Sequence, residues 1–178
     1  MHRTALFLAL AMAGATPAGP ARHVSGGPVS DARAIWSEIT GYITQSAQDM
    51  SDADYAYRPT PDVRSFGQLI AHIAGSQHLM CAAALGEVGG TEDDVEKTKT
   101  SKSDIVAALR ASNEYCARAY AQTDDQVTAS SKLFGEEHSR LYALILNATH
   151  DNEHYGNIVT YMRLKGMVPP SSRPRSGQ

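Results

Sequence analysis

The sequence predicts an all-α protein folded as a four-helix bundle with long connectors. Apolar residues recur at three- and four-residue steps in four separate stretches of about 20 to 28 residues. Helix-starting and helix-stopping residues bracket these stretches. No stretch carries a competing strand signal, and 26 of the 178 residues are Ala, the strongest helix former.

The chain opens with Met1-His2-Arg3, a short basic start, followed by an apolar run over residues 5–15. A bilayer span needs roughly twenty such residues, so no stable membrane insertion is expected. Ala13-Gly14-Ala15 fits an A-x-A cleavage pattern. Residues 1–21 therefore read as a secretory signal and residues 22–28 as a flexible leader. The protein is expected to be exported, periplasmic or secreted, with a cytoplasmic location as the alternative. The bundle is expected over 29–172, and 173–178 as a disordered tail.

The first bundle helix is expected from about Ser30 to Met50, with Ile35, Ile39, Tyr42, Ile43 and Ala47 on one face. Pro59 and Pro61 break the connector that follows. Ser65 then caps a second helix, with Gln68 in the reciprocal capping-box position. It carries Phe66, Leu69, Ile70, Ile73 and Met80, and Gly86 stops it. Gly86 to Thr100 reads as a polar loop with an acidic run. The third helix is expected over about Lys102 to Gln122, with Ile105, Ala108 or Leu109, Ser112, Tyr115 or Cys116, and Ala119 periodic. The fourth is expected from Glu136 to Lys165, carrying Leu141, Leu144, Ile145, Ala148, Ile158, Tyr161 and Met162. Gly166 and Pro169-Pro170 end it. Four such helices must bury their stripes on one another. Every connector is long enough to cross the bundle, so loop lengths leave the topology open.

Composition excludes several function classes. The formal charge of −3 argues against a nucleic-acid binder held by a basic face. Two cysteines are too few for a disulfide framework or a four-cysteine zinc site. Cys81 and Cys116 read as small apolar core residues. If the second and third helices run parallel, an exported chain could instead oxidise them to a disulfide. Neither a nucleophile elbow, a P-loop nor a dinucleotide glycine motif is present.

The seven histidines sort by geometry. His150 and His154, four apart on one helix, leave the same face about one turn apart and can grip one ion. His72 lies between Leu69, Ile70 and Ile73, where an imidazole needs a hydrogen-bond partner or a metal. The three together predict a divalent transition-metal site, with Zn, Ni or Fe suited to imidazole. Gly75 and Ser76 on the face of His72 leave room for a water or a substrate. Asn147, three residues before His150, is a candidate partner supporting that ligand. His78 points about 240° away from His72, and His138 lies roughly 18 Å along the helix from His150. His2 and His23 belong to the leader. His150 to His154 also fits the inverted zinc-protease pattern H-x-x-E-H. Only 24 residues follow His154, none of them acidic, and Glu153 projects about 100° off the ligand line, which excludes that reading.

The residues from His150 to Asn157 and from Tyr161 to Pro170, with Pro59 to His72, resemble the DinB-like family (the DinB/YfiT-like superfamily) of metal-binding four-helix bundles. The resemblance spans about Val29 to Ser172. It implies an up-down-down-up bundle with metal ligands at His72, His150 and His154. For activity it implies a metal-dependent hydrolase or a thiol S-transferase acting on a small molecule, and a homodimer as the assembly. The alternative is a non-catalytic metal- or ligand-binding stress-related protein.

Overall fold

A computed structural model describes residues 26–174. The expected signal (1–21), most of the expected leader and residues 175–178 lie outside the described residues. The element order is α1 (Pro28–Asp49), α2 (Phe66–Leu85), a short α3 (Asp94–Thr98), α4 (Lys102–Ala119), a hairpin of β1 (Ser130–Leu133) and β2 (Glu136–Ser139), and α5 (Arg140–Leu164). A 3-10 turn over Asp52–Ala56 sits between α1 and α2.

Helices α1, α2, α4 and α5 form the bundle. Trp36, early in α1, donates its indole N–H to Gln77 late in α2 (3.2 Å), so these two run antiparallel. Ile105 lies beside Gly67 near the starts of α4 and α2, and Cys81 and Cys116 meet near their ends, so these two run parallel. Trp36 stacks on Tyr120, the residue that ends α4, and Tyr42 on Tyr155. This is the expected up-down-down-up order.

Local chemistry explains the ends. Ser65 and Gln68 make the expected capping box, Ser65 Oγ accepting from Gln68 N (3.2 Å) and Gln68 Oε1 from Ser65 N (2.9 Å). Gly86 takes the left-handed conformation (φ 73°) that closes α2. Helix α1 begins at Pro28, two residues before the expected start, because Asp124 from a distant connector accepts from Val29 N (3.0 Å) in place of a local cap.

Three expectations fail here. The polar loop expected over Gly86 to Thr100 contains the short helix α3 (Asp94–Thr98). The fourth helix starts at Arg140 rather than Glu136, and the residues before it pair as a hairpin with Leu133 opposite Glu136. Phe134 (φ 53°) and Gly135 (φ 87°) form its two-residue turn, a conformation in which Asn-Gly rather than Phe-Gly is the usual signal. Ser139 caps α5, its hydroxyl accepting from Tyr142 N (3.2 Å). Cys81 and Cys116 are joined in a disulfide rather than standing as separate core thiols. The parallel α2–α4 pair brings their Cα atoms to 5.2 Å, within bonding reach.

The core has two apolar clusters. One gathers Ile43, Met50, Phe66, Ile70, Leu109, Ile158 and their neighbours at the end where α2 and α4 start. The other gathers Trp36, Met80, Cys81, Cys116, Tyr120, Leu133 and Leu144 at the opposite end. Between them, α2 and α5 bury polar residues: His72, Ser76, Gln77, Asn147 and Asp151. The candidate site lies in this polar waist.

Candidate metal centre

His72 faces the bundle interior because the stripe of Leu69, Ile70 and Ile73 turns its side of α2 inward; it is 6% exposed. His150 and His154 project from α5 toward it, one turn apart. Their Nε2 atoms are 3.0 Å from each other. The ring centroids of His72 lie 5.3 Å from His150 and 4.9 Å from His154. One ring nitrogen from each of the three lies within 4.8 Å of the others, so the group could hold a metal ion. The structure thus brings together all three sequence-predicted ligands.

The electrostatics suit a cation bound by neutral imidazoles. Burial pulls the His154 pKa down to about 3, helped by its two histidine neighbours. Burial, with the Arg64 guanidinium, pulls His72 down to about 4. Burial lowers His150 as well. All three rings are therefore neutral near pH 7 and offer lone pairs to an ion. Their Nδ1 atoms are buried and have no hydrogen-bond partner among the described residues. A neutral imidazole donor set fits Zn(II), Ni(II) or Fe(II).

A segment not singled out in the sequence closes over the site. Glu92 carries a carboxylate oxygen 3.9 Å from His150 Nε2 and 3.4 Å from Ser76 Oγ. That hydroxyl lies 3.4 Å from His72 Nε2. Asp93 lies on the other side of the His72 ring, 3.7 Å from Nδ1. Arg64 donates from Nε to Glu96 (2.9 Å) and lies 3.8 Å from Asp93. The space expected above Gly75 is therefore filled: a Cβ at position 75 would collide with the Glu92 carbonyl oxygen. Glycine here serves close approach of the backbone, not room for a substrate.

Asn147 does not support His150. It is fully buried and donates to the Tyr120 hydroxyl (3.1 Å), which in turn donates to Leu144 O (2.7 Å). One helical turn on, Asp151 is fully buried with neither carboxylate oxygen partnered among the described residues, and burial holds its pKa well above the usual range. The discarded residues stay apart from the site. His78 is exposed and stacks on Tyr115, His138 stacks on Tyr142, and Glu153 is exposed.

A cavity of about 710 Å³ opens against His154. Arg64, Leu69, Glu96, Asn157 and Tyr161 are among the residues that line it. Tyr161 donates its hydroxyl to Arg64 O (2.6 Å), fixing the wall where the connector enters α2.

Several solved structures share this fold. A DinB-like protein from Bacillus cereus is 20% identical, with a TM-score of 0.66 over 78% of this chain and 93% of that one. A DinB-like protein from Bacillus subtilis is 22% identical, with a TM-score of 0.64 over 82% and 99%. YfiT from Bacillus subtilis, described as a probable metal-dependent hydrolase with an unusual four-helix bundle topology, is 18% identical, with a TM-score of 0.61 over 84% and 94%. No curated protein matches the chain. The family profile of the DinB superfamily matches residues 36–158, which span α1 to most of α5 and contain all three histidines. The chain belongs to the DinB superfamily.

Proposed function

We propose that this protein is an exported metal-dependent hydrolase of a small molecule, with its ion held by His72, His150 and His154. The observation that carries the reading is three neutral, convergent imidazoles beside a cavity large enough for a substrate. When bound, the ion supplies Lewis acidity that polarises a carbonyl or phosphoryl oxygen and lowers the pKa of a water. The chain's own residues do the rest. The imidazoles give the ion no compensating charge, and the Glu92 carboxylate faces the same space from outside the ligand set. Leu69, Tyr161 and Asn157 line that cavity, which mixes apolar and polar side chains as small-molecule sites do.

Export is supported by the Cys81–Cys116 disulfide, since such bonds persist in oxidising compartments. The same bond favours hydrolysis over thiol transfer, because cytoplasmic low-molecular-weight thiols are not expected there.

The test is turnover of a panel of ester, amide and phosphoester probes by zinc- or nickel-loaded protein purified without a tag. Turnover that vanishes in His154→Ala, while that variant keeps its helical content, supports hydrolysis. Full metal occupancy with no turnover on the panel favours the non-catalytic binding reading instead.

A further inference from the structure

We propose that Asp93 is a positioning residue for the metal centre, holding the His72 ring so that its Nε2 faces the ion. This rests on the three-histidine reading above and goes beyond it, since nothing in that ligand set requires the α2–α4 connector.

The two edges of the His72 ring are not equivalent. Its Nε2 lies 3.4 Å from Ser76 Oγ, and the Glu92 carboxylate lies 3.4 Å from that hydroxyl and 3.9 Å from His150 Nε2. The Nδ1 edge of His72 is buried with no hydrogen-bond partner among the described residues, in a side chain more than nine-tenths buried. A ligating histidine needs an acceptor for its second N–H, and a carboxylate there fixes both tautomer and ring angle. The Asp93 carboxylate stands opposite that nitrogen at 3.7 Å.

Asp93 is itself held from several directions. Glycine at position 75 lets the backbone at Glu92 lie directly on α2. Thr91 ties the turn to Asp94, donating from its N–H (2.7 Å) and its hydroxyl (2.6 Å). Lys97 lies 3.4 Å from one Asp93 oxygen and Arg64 3.8 Å from the other. These contacts belong to the connector, yet their combined effect is to present one carboxylate to a ring on a neighbouring helix.

His72, Asp93 and Glu96 also lie close enough together to hold a cation of their own. Arg64 and Lys97 already compensate both carboxylates, so a second ion would have to displace them. Orienting His72 requires no such displacement.

Co(II) titration of the chelator-stripped full-length protein tests this, because visible absorption reports both affinity and ligand geometry without turnover. Asp93→Asn is compared with Asp62→Asn, which removes the same charge from the wall of the cavity, and with Asp93→Glu. Melting of each stripped variant checks that it folds. The expected result is one equivalent of Co(II) in the parent. Affinity falls about 10- to 100-fold in Asp93→Asn with a changed spectrum. It stays within about twofold in Asp62→Asn, and the parent spectrum returns at least partly in Asp93→Glu. Equal affinity in Asp93→Asn and the parent overturns the proposal alone, as does an equal loss in Asp62→Asn, which would mark a long-range charge effect. A second equivalent that disappears in Asp93→Asn overturns it in favour of a second ion. No uptake by the parent overturns the three-histidine reading and this proposal with it.

Discussion

At one end of the bundle Cys81 and Cys116 tie α2 to α4, Trp36 stacks on Tyr120 at 4.5 Å, and Ser131 of the hairpin donates to Ala83 O at 2.6 Å. About nine residues back along α2, roughly 13 Å away, the side chains of His72, His150, His154, Asn147 and Asp151 bury polar atoms that have no partner among the described residues. Buried polar atoms without partners cost about 1–3 kcal/mol each. The closed end therefore supplies stability through a covalent bond and contacts that are satisfied except at Arg140 Nε. The waist gives some of it up, and that is where the ligand atoms converge. A protein can keep an uncompensated cluster of imidazoles in its interior when a separate part of the same helices is firmly locked.

Breaking each region separately sharpens this comparison. The largest effect is expected from His154→Ala, which removes one of the two candidate ligands on α5. Metal affinity should fall by more than about 100-fold in zinc competition titrations, while the melting temperature of the chelated protein changes little. Next comes the closed end. The disulfide spans 35 residues, so the double variant Cys81→Ala/Cys116→Ala should lose about 4 kcal/mol in urea unfolding. Its metal affinity should stay close to that of the parent. Loss of both properties together would contradict the division of labour.

Asp151→Asn should have a smaller and opposite effect. Burial raises the folded-state pKa of Asp151, so above the ordinary carboxylate range the folded state keeps a proton that the unfolded state has released. Stability therefore falls as pH rises through and above about 4. The amide removes that penalty, and Asp151→Asn should be more stable than the parent at pH 7 by about 1–3 kcal/mol. The difference should vanish at about pH 3, measured by chemical unfolding with chelator present. The smallest effect is expected from Gly75→Ala, which pushes Glu92 and with it Asp93 away from α2. Metal affinity should fall about tenfold, and calorimetric titration would read it.

The three candidate ligands were legible because their signals are local: His150 and His154 share a face at four-residue spacing, and His72 interrupts an apolar stripe. The four bundle helices were legible for the same reason, and Ser65, Gly86 and Gly166 marked their ends. What escaped depended on contacts distant in sequence or on unusual backbone. The hairpin turns on Phe134 at a positive φ, which no residue preference announces. Glu92 and Asp93 read as an acidic loop, since nothing in a sequence shows that Gly75 lets that loop lie on α2. Asn147 was read as a candidate partner for His150, but its hydrogen bond goes to Tyr120, a residue on the far side of a connector. Asp151 stands beside a ligand in sequence, and only packing shows that its carboxyl is fully buried.

The central claim is that imidazoles from α2 and α5 meet around one ion. Elemental analysis of untagged protein purified without chelator, alongside His72→Ala prepared identically, tests it most directly. The account predicts close to one equivalent of a divalent transition metal in the parent and almost none in the variant, with both equally helical. Less than about 0.1 equivalents in the parent, with no uptake when Zn(II), Ni(II) or Fe(II) is added, would contradict it, since a three-nitrogen site of this kind binds such ions firmly.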